Sequence, residues 1–303
     1  MLVLKRLALA FFGIVIVLAV IFIILLAPQN NQSSEGVDFV ILANSRSADI
    51  SQDLESKGVI KNGFAFYLYL KLIRGKVLPG TYELSANMSG SDIASQLAGG
   101  KFKVVKITII EGWRASQMEE YLVSEKKLAQ LVGLTKLASP YEGYLFPDTY
   151  EVKVDVTAEE LIEKMRETFK HKTKDFRVTP ETVILASIVE RESLGDEDRS
   201  QIAGVYANRI KIGMKLEADP TIQYAKGSWA AVTVGEYKSV ISPYNTYLND
   251  SWPPGPICSP GLKSLEAAAK PAEHNFLYFF HAKGQTYFSK TYPEHAAKVR
   301  QYF

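Results

Sequence analysis

A chain of 303 residues, 47% hydrophobic, 22% charged and 11% aromatic, has room for one or two packed cores and lacks the composition of a disordered protein. Its 35 Lys plus Arg stand against 33 Asp plus Glu, and setting aside Lys5 and Arg6 leaves 33 against 33, so the balanced remainder lacks the basic footprint of a nucleic-acid binder. The one cysteine, Cys258, excludes an intramolecular disulfide, and no Cys/His cluster has zinc-ligand spacing.

Residues 7–27, LALAFFGIVIVLAVIFIILLA, run 21 residues without a charge, enough for a helix to cross a hydrocarbon core. Lys5 and Arg6 precede the run, and no Lys or Arg follows it until Arg46. By the positive-inside rule residues 1–6 are cytoplasmic and everything after residue 27 is extracytoplasmic. The run is longer than the apolar region of a cleaved signal peptide and no small-x-small cleavage site follows it, which favours an uncleaved anchor.

A polar linker at 28–36 opens onto an apolar strand, VDFVILANS, closed by the turn formers Asn44 and Ser45. Ser47 is placed to cap a helix through ADISQDLESKG, in which Ile50 and Leu54 share a face and Gly58 marks the stop. A second helical stretch, NGFAFYLYLKLIRG, leads to a turn at Pro79 and Gly80. The plan then repeats: TYELS is strand-like, Ser89 or Ser91 caps SDIASQLAGG with Ile93 and Leu97 four apart, and KFKVVKITII is an alternating then apolar strand. Residues 37–105 therefore read as a small α+β lobe. From 106 to 303 helix and strand mix without regular βαβ alternation, so the whole chain is classed α+β. Within that region TAEELIEKMRETFK is an amphipathic helix with Leu161, Met165 and Phe169 in step.

The most informative helix begins at Thr179, an N-cap residue, with Pro180 in the first helical position and Glu181 complementing the dipole. Val183, Ile184, Leu185, Ala186, Ile188 and Val189 leave it almost no polar face, so a buried rod delivers Glu190 and Glu192 at its end. Glu192 follows Leu185, Ile188 and Val189 by seven, four and three residues and extends the most apolar stripe, whereas Glu190 lies beneath Val183, Ala186 and Ser187. A carboxyl in apolar surroundings stays protonated near neutral pH, as a general acid at a glycosidic oxygen must. The competing reading has both glutamates solvated, fraying off the helix before Gly195. Other chemistries find less support: no G-x-S-x-G elbow or H-E-x-x-H occurs, and the S-x-x-K at Ser124–Lys127 falls in a charged helix. His171, His274, His281 and His295 are scattered without ligand spacing.

Another helix runs from Asp196 through SQIAGVYANRIKIG to Gly213. The succession ASIVERE, AGVYANRIKIGM, DPTIQY, YNTY, PPGPI, PG and LYFF, in this order and spacing, resembles the MltG (YceG-like) endolytic murein transglycosylase family. EGW at 111–113 and EGYLFPDTY at 142–150 extend the resemblance over most of the region beyond the anchor. The resemblance implies a LysM-like lobe over 37–105 and a YceG-like catalytic domain over 106–303, in a single-pass protein of the bacterial cell membrane. It implies that Glu192, the second glutamate of the E-x-E pair before Ser193, is catalytic with Glu190 in support, much as lysozyme-like lytic transglycosylases use one glutamate. It further implies no cofactor and no metal, and as partners peptidoglycan glycan strands and the peptidoglycan synthases. The implied reaction cuts the MurNAc–GlcNAc bond of nascent strands, leaves a 1,6-anhydro-MurNAc end and terminates glycan polymerisation.

Asp219, Tyr244, Asn245 and Thr246 are the polar candidates to line a sugar cleft, and Trp252 with the stiff loop at 253–256 offers an apolar face to a pyranose. Each has a structural alternative: Asp219 can cap a turn before Pro220, Asn245 can fix its own loop, and the Trp252 loop can be scaffold. Two positions depart from the family pattern. Glu217 stands where Gln is usual before the x-Asp-Pro-Thr run, and Thr286 where His is usual before x-Phe. Glu217 adds a second carboxylate, which keeps a muramidase-type hydrolase open. A non-catalytic, membrane-tethered peptidoglycan-binding scaffold is the alternative from a different class.

Overall fold

Residues Lys5–Leu26, with a mean hydropathy of 3.4, make the one helix among the described residues that is long and apolar enough to cross a membrane. They form most of α1 (Leu2–Leu26). The computed structural model describes residues 2–302, with side chains from Lys5 onward. The chain divides into two compact units, one reaching to Val105 and adding Val152–Asp155, the other comprising Lys106–Glu151 and everything from Val156.

The first unit contains, after α1, β1 (Gly36–Ile41), α2 (Ser47–Ser56), α3 (Gly63–Leu72), β2 (Gly80–Ser85) and α4 (Gly90–Ala98). The two strands pair antiparallel from Gly36 opposite Ser85 to Ile41 opposite Gly80. Period-two alternation turns Phe39, Ile41, Tyr82 and Leu84 inward, where they meet Ile50 and Leu54 of α2, Phe66 and Leu70 of α3 and Ile93 and Leu97 of α4. Local signals explain most boundaries. Asn62 accepts the Ala65 N–H to cap α3, Ser89 and Asp92 form a reciprocal capping box on α4, and Gly58 takes φ +68° just past α2. Ser47 does not cap α2. The helix starts at Ser47 itself, Arg46 stands at the cap in extended conformation, and its guanidinium grips Asp49 at 2.8 and 2.9 Å.

The chain continues through β3 (Val104–Thr108), shorter than the apolar run around it, and α5 (Ala115–Glu120). That helix widens into a π turn at Tyr121–Glu125, and Lys127 takes φ +59°. The Ser124–Lys127 pair therefore sits where a helix breaks, not on a regular charged helix, and Lys127 Nζ is spent on the Ser124 carbonyl. Next come α6 (Leu134–Ala138), β4 (Thr149–Lys153), which pairs with β3, and α7 (Ala158–Lys172), capped by a Thr157–Glu160 box. Then follow α8 (Pro180–Glu192), α9 (Asp196–Lys211), α10 (Asp219–Ala225), α11 (Glu236–Ser239) and α12 (Leu262–Ala269). The hairpin of β5 (Tyr278–Ala282) and β6 (Gln285–Ser289) precedes α13 (Tyr292–Tyr302). Helix α8 is the axle of this unit, with α9, α10 and α12 packed against it and all of Val183–Val189 buried.

Candidate active site

Thr179 caps α8 by accepting the Thr182 N–H at 3.2 Å, with Pro180 following in the first turn. Midway, Ser187 is fully buried and joins the helix to the 253–258 loop: its hydroxyl donates to the Ile184 carbonyl and accepts the Ile257 N–H at 3.0 Å. Ser193 breaks the helix in extended conformation, and its hydroxyl returns to the Val189 carbonyl at 2.8 Å. Both ends of α8 are fixed, and so is the direction in which its last turn presents carboxylates.

The two carboxylates have different surroundings. Glu190, its side chain 8% exposed, pairs with Arg199 Nη1 at 3.2 Å and accepts the Gly261 N–H at 2.9 Å. Arg199 in turn donates to Ser264 Oγ at 2.7 Å. Glu190 is thus a bolt between α8, α9 and the start of α12, and it does not fray into solvent. Among the described residues Glu192 meets no cation at contact distance: its partner is the Tyr206 hydroxyl, which donates to Oε1 at 3.0 Å. Burial pushes the Glu192 carboxyl up to about 7; the Tyr206 hydrogen bond pulls down, the Asp219 charge pushes up and Arg209 pulls down. Glu192 as a whole residue is partly exposed, while its carboxyl is enclosed by the surrounding protein and holds its proton towards neutral pH. Tyr206 is itself held edge-on against Phe279 at 5.8 Å and is 1% exposed.

Asp219 opens α10 and accepts the Tyr247 hydroxyl at 2.6 Å, while Tyr247 stacks on Tyr237 at 4.2 Å. Glu217 takes φ +49°, and its side chain, 41% exposed, lies 3.4 Å from Arg209 Nη1. Arg209 is mostly committed to backbone, donating to the Leu216 carbonyl at 2.6 Å and the Leu277 carbonyl at 2.7 Å, so it ties the 215–217 turn to the hairpin. Two expected cleft residues face inward instead. Asn245 is fully buried, with Nδ2 donating to the Tyr237 and Val240 carbonyls and Oδ1 accepting the Tyr247 N–H. Thr246 is also fully buried, its hydroxyl accepting the Ala218 N–H at 3.0 Å. Their polarity is consumed in folding a loop whose backbone would otherwise lack partners.

Tyr244 and Trp252 remain partly exposed. Tyr244 tilts against Tyr224 at 4.7 Å, and both rings, with Tyr144, Pro254 and Pro256, line a cavity of about 290 Å³. Glu142 lies in the same cavity, pushed up to about 7 by burial, offset by the Ala115 N–H and the Arg114 charge. Glu142 is not among the residues that the sequence marks as candidates. The signal available was Gly143 beside it, at φ +81° with Pro256 and Val183 occupying the space a side chain needs. Ile184 also borders the cavity, eight residues before Glu192 on α8, or about 12 Å along the axis. Tyr206, Arg209 and Trp229 are likewise unmarked in the sequence; the Arg114 and Arg191 guanidiniums both lie over the Trp229 indole, at 4.6 and 4.1 Å.

The departure at Thr286 acquires a partner in the hairpin. Thr286 lies opposite His281, whose Nδ1 is 3.0 Å from its hydroxyl, and that hydroxyl donates to Asp198 Oδ2 at 2.5 Å. An imidazole therefore occupies this spot from the neighbouring strand, and His281 is not an isolated surface residue.

The YceG-like family model matches residues 39–301. An endolytic murein transglycosylase of Bacillus subtilis is 31% identical over 92% of this chain and 88% of its own length. An endolytic murein transglycosylase of Streptococcus pneumoniae is 29% identical over 91% of this chain, which spans 60% of that longer relative. The crystal structure of a yceG-like protein from Listeria monocytogenes, 32% identical, aligns with a TM-score of 0.56 over 87% of this chain and 99% of its own.

Proposed function

Since the chain belongs to the YceG-like family, we propose that it is an endolytic murein transglycosylase, with Glu192 as the catalytic acid and base. The observation that carries this reading is the Glu192 carboxyl: enclosed, hydrogen-bonded by Tyr206, and held up to about 7 by burial. In that state it donates its proton to the oxygen between MurNAc and GlcNAc, the C1–O bond breaks, and GlcNAc leaves with its hydroxyl restored. The carboxylate then takes the proton of the MurNAc 6-hydroxyl as that oxygen closes on C1. No water is consumed, the product ends in 1,6-anhydro-MurNAc, and the Glu192 proton is regenerated. The Tyr206 hydroxyl, donating to Oε1, steadies the intermediate carboxylate, and Asp219, whose charge acts on Glu192, faces the positive charge developing at C1.

The glycan strand extends from Glu192 along α8 towards the cavity of Tyr144, Tyr224 and Tyr244, where sugar faces pack on the rings and the Glu142 carboxyl accepts hydrogen bonds and, when protonated, donates one. Trp252 and the proline loop border that path. The helix α1 anchors the protein with residues 1–6 in the cytoplasm, residues 37–105 form a LysM-like lobe, and cleavage terminates strands beside the synthases that make them.

A second reading, a muramidase, is favoured by one observation: Glu217 supplies a further exposed carboxylate on Arg209, whose charge also acts on Glu192. Digestion of uncrosslinked glycan followed by mass spectrometry separates the cases. Anhydro ends support the lyase, reducing ends the hydrolase, and strands left intact by the wild type leave only a binding scaffold.

A further inference from the structure

Helix α3 has two unlike faces. Ala65, Phe66 and Leu70 are buried in the lobe, whereas Phe64, Leu68 and Leu72 are 69%, 41% and 73% exposed. Spaced four residues apart, the exposed three form one stripe. Tyr67 and Lys71 fall on the same side, the Lys71 ammonium lying 5.6 Å from the Tyr67 ring centre, and exposed Arg74 and Lys76 follow the helix. An apolar stripe edged by Tyr, Lys and Arg is the composition of a helix that lies in a membrane interface.

What lies beside the stripe decides its occupant. Helix α3 touches α1. Phe22, Leu25 and Leu26 of α1 are partly covered, while the adjoining Ile21, Ile23 and Ile24 are 48%, 67% and 56% exposed. Leu26 packs on the lobe core and fills the space a side chain at Gly90 would need, and the Asn30 N–H donates to the Ala86 carbonyl at 2.9 Å. The lobe is therefore seated on the last turn of α1 and does not hang from a free linker. Partial cover on α1 begins at Phe22, four residues before the end of the apolar span, or about 6 Å along the axis. That is within the ~5–10 Å to which interfacial helices embed.

We propose that α3 is an interfacial helix, its Phe64, Leu68 and Leu72 stripe embedded in the bilayer leaflet from which α1 emerges, with Tyr67, Lys71 and Arg74 at headgroup level. The proposal rests on α1 being the membrane anchor. Two contacts with the bilayer, one spanning and one lying flat, fix which way the lobe faces and stop it turning about the anchor.

Single nitroxide labels on the full chain in phosphatidylethanolamine–phosphatidylglycerol liposomes test it. Labels are placed at residues 64, 68 and 72, at 18 within α1, and at 101; the native Cys258 is fully buried and stays unlabelled. Lys101 is exposed and lies beyond the far end of α4 from the Gly90 contact, about 13 Å away. Each label is read by collision with oxygen, which concentrates in lipid, and with a nickel chelate, which stays in water. The expected result is oxygen-favoured collision at 64, 68 and 72, shallower than at 18, and nickel-favoured collision at 101. Nickel-favoured collision at 64, 68 and 72 with position 18 in lipid overturns the proposal and leaves the anchor intact. Nickel-favoured collision at 18 overturns the anchor reading and the proposal with it. Shielding of 64, 68 and 72 from both reagents, with spin–spin broadening that disappears on dilution with unlabelled chain, assigns the stripe to a second copy and also overturns the proposal.

Discussion

In the N-terminal lobe the buried polar groups among the described residues are few, Ser51, Thr81 and the Tyr82 hydroxyl, and near neighbours answer them: Ser51 donates to the Ser47 carbonyl, Thr81 to Asp155 and Tyr82 to the Leu78 carbonyl. The second unit buries Arg209, Ser187, Thr221, Asn245 and Thr246, and raises two carboxyls, Glu142 and Glu192, to about 7. An apolar core of similar shape is the easier solution, because each buried polar group left without a partner costs ~1–3 kcal/mol. The lobe follows that solution and the second unit departs from it. Departures concentrate around α8 and the loops it holds, which is where chemistry needs charge out of water.

The largest effect expected from that contrast is on Glu192→Gln. Activity on uncrosslinked glycan should fall by ~10²–10⁴-fold, the contribution of a positioned acid–base group, with the circular dichroism unchanged. Glu190→Gln should behave in the opposite way. It takes from Arg199 the more buried of its two carboxylate partners and leaves only the exposed Asp196 at 3.3 Å, and ~1–3 kcal/mol of stability should be lost. Retained activity in Glu192→Gln together with a folded but inactive Glu190→Gln would reverse the two roles. In the lobe, Leu54→Ala empties a fully buried site and should cost ~2–5 kcal/mol. It should leave cleavage of short soluble glycans by the second unit intact, and a parallel loss of that activity would show the two units to be one cooperative body.

The lobe was legible because its rules are short-range. Asn44, Gly58 and Ser89 sit where turns and caps belong, and Ile50 with Leu54 and Ile93 with Leu97 mark the core faces from spacing alone. The same holds for α8, whose Thr179–Pro180 start and apolar run single out Glu192. Tyr206 lies 14 residues from Glu192 and Glu142 lies 27 from Ala115, and no local pattern announces such contacts. Asn245 misled for the same reason. A polar residue in a loop reads as available to a ligand until burial shows its carboxamide holding three backbone groups. Ser47 misled because Arg46, with Asp49 three residues on, offered a competing way to start the helix.

Acid–base linkage gives a third way to sharpen the contrast. Glu142 and Glu192 are raised from 4.5 to about 7, so between those limits the folded state binds more protons than the unfolded one, and stability falls as pH rises through 7. Each group accounts for on the order of 3 kcal/mol of that fall. Trp113, Trp229 and Trp252 all lie in the second unit, so urea unfolding followed by tryptophan fluorescence reports on it alone. The midpoint should drop from pH 5 to pH 8 in the wild type and drop about half as far in Glu142→Gln. An identical slope in both would place the Glu142 carboxyl in water.

The smallest expected effect isolates the hydrogen bond that separates Glu192 from an ordinary buried acid. The Tyr206 hydroxyl donates to Glu192 Oε1 at 3.0 Å and favours the charged form, against the push of burial and Asp219. Tyr206→Phe keeps the ring and its edge-on contact with Phe279 and removes only the donor. The Glu192 carboxyl should then hold its proton to higher pH. The alkaline limb of kcat/KM, which reports loss of the acid's proton in the free enzyme, should move up by about one pH unit, since a hydrogen bond to a charged group contributes ~1.5 kcal/mol or more. Maximal kcat should fall at the same time, because the carboxylate that must take the 6-hydroxyl proton loses its only hydrogen-bonding neighbour among the described residues. A limb that stays in place while kcat falls would reduce Tyr206 to a packing residue, and burial alone would then set the protonation of Glu192.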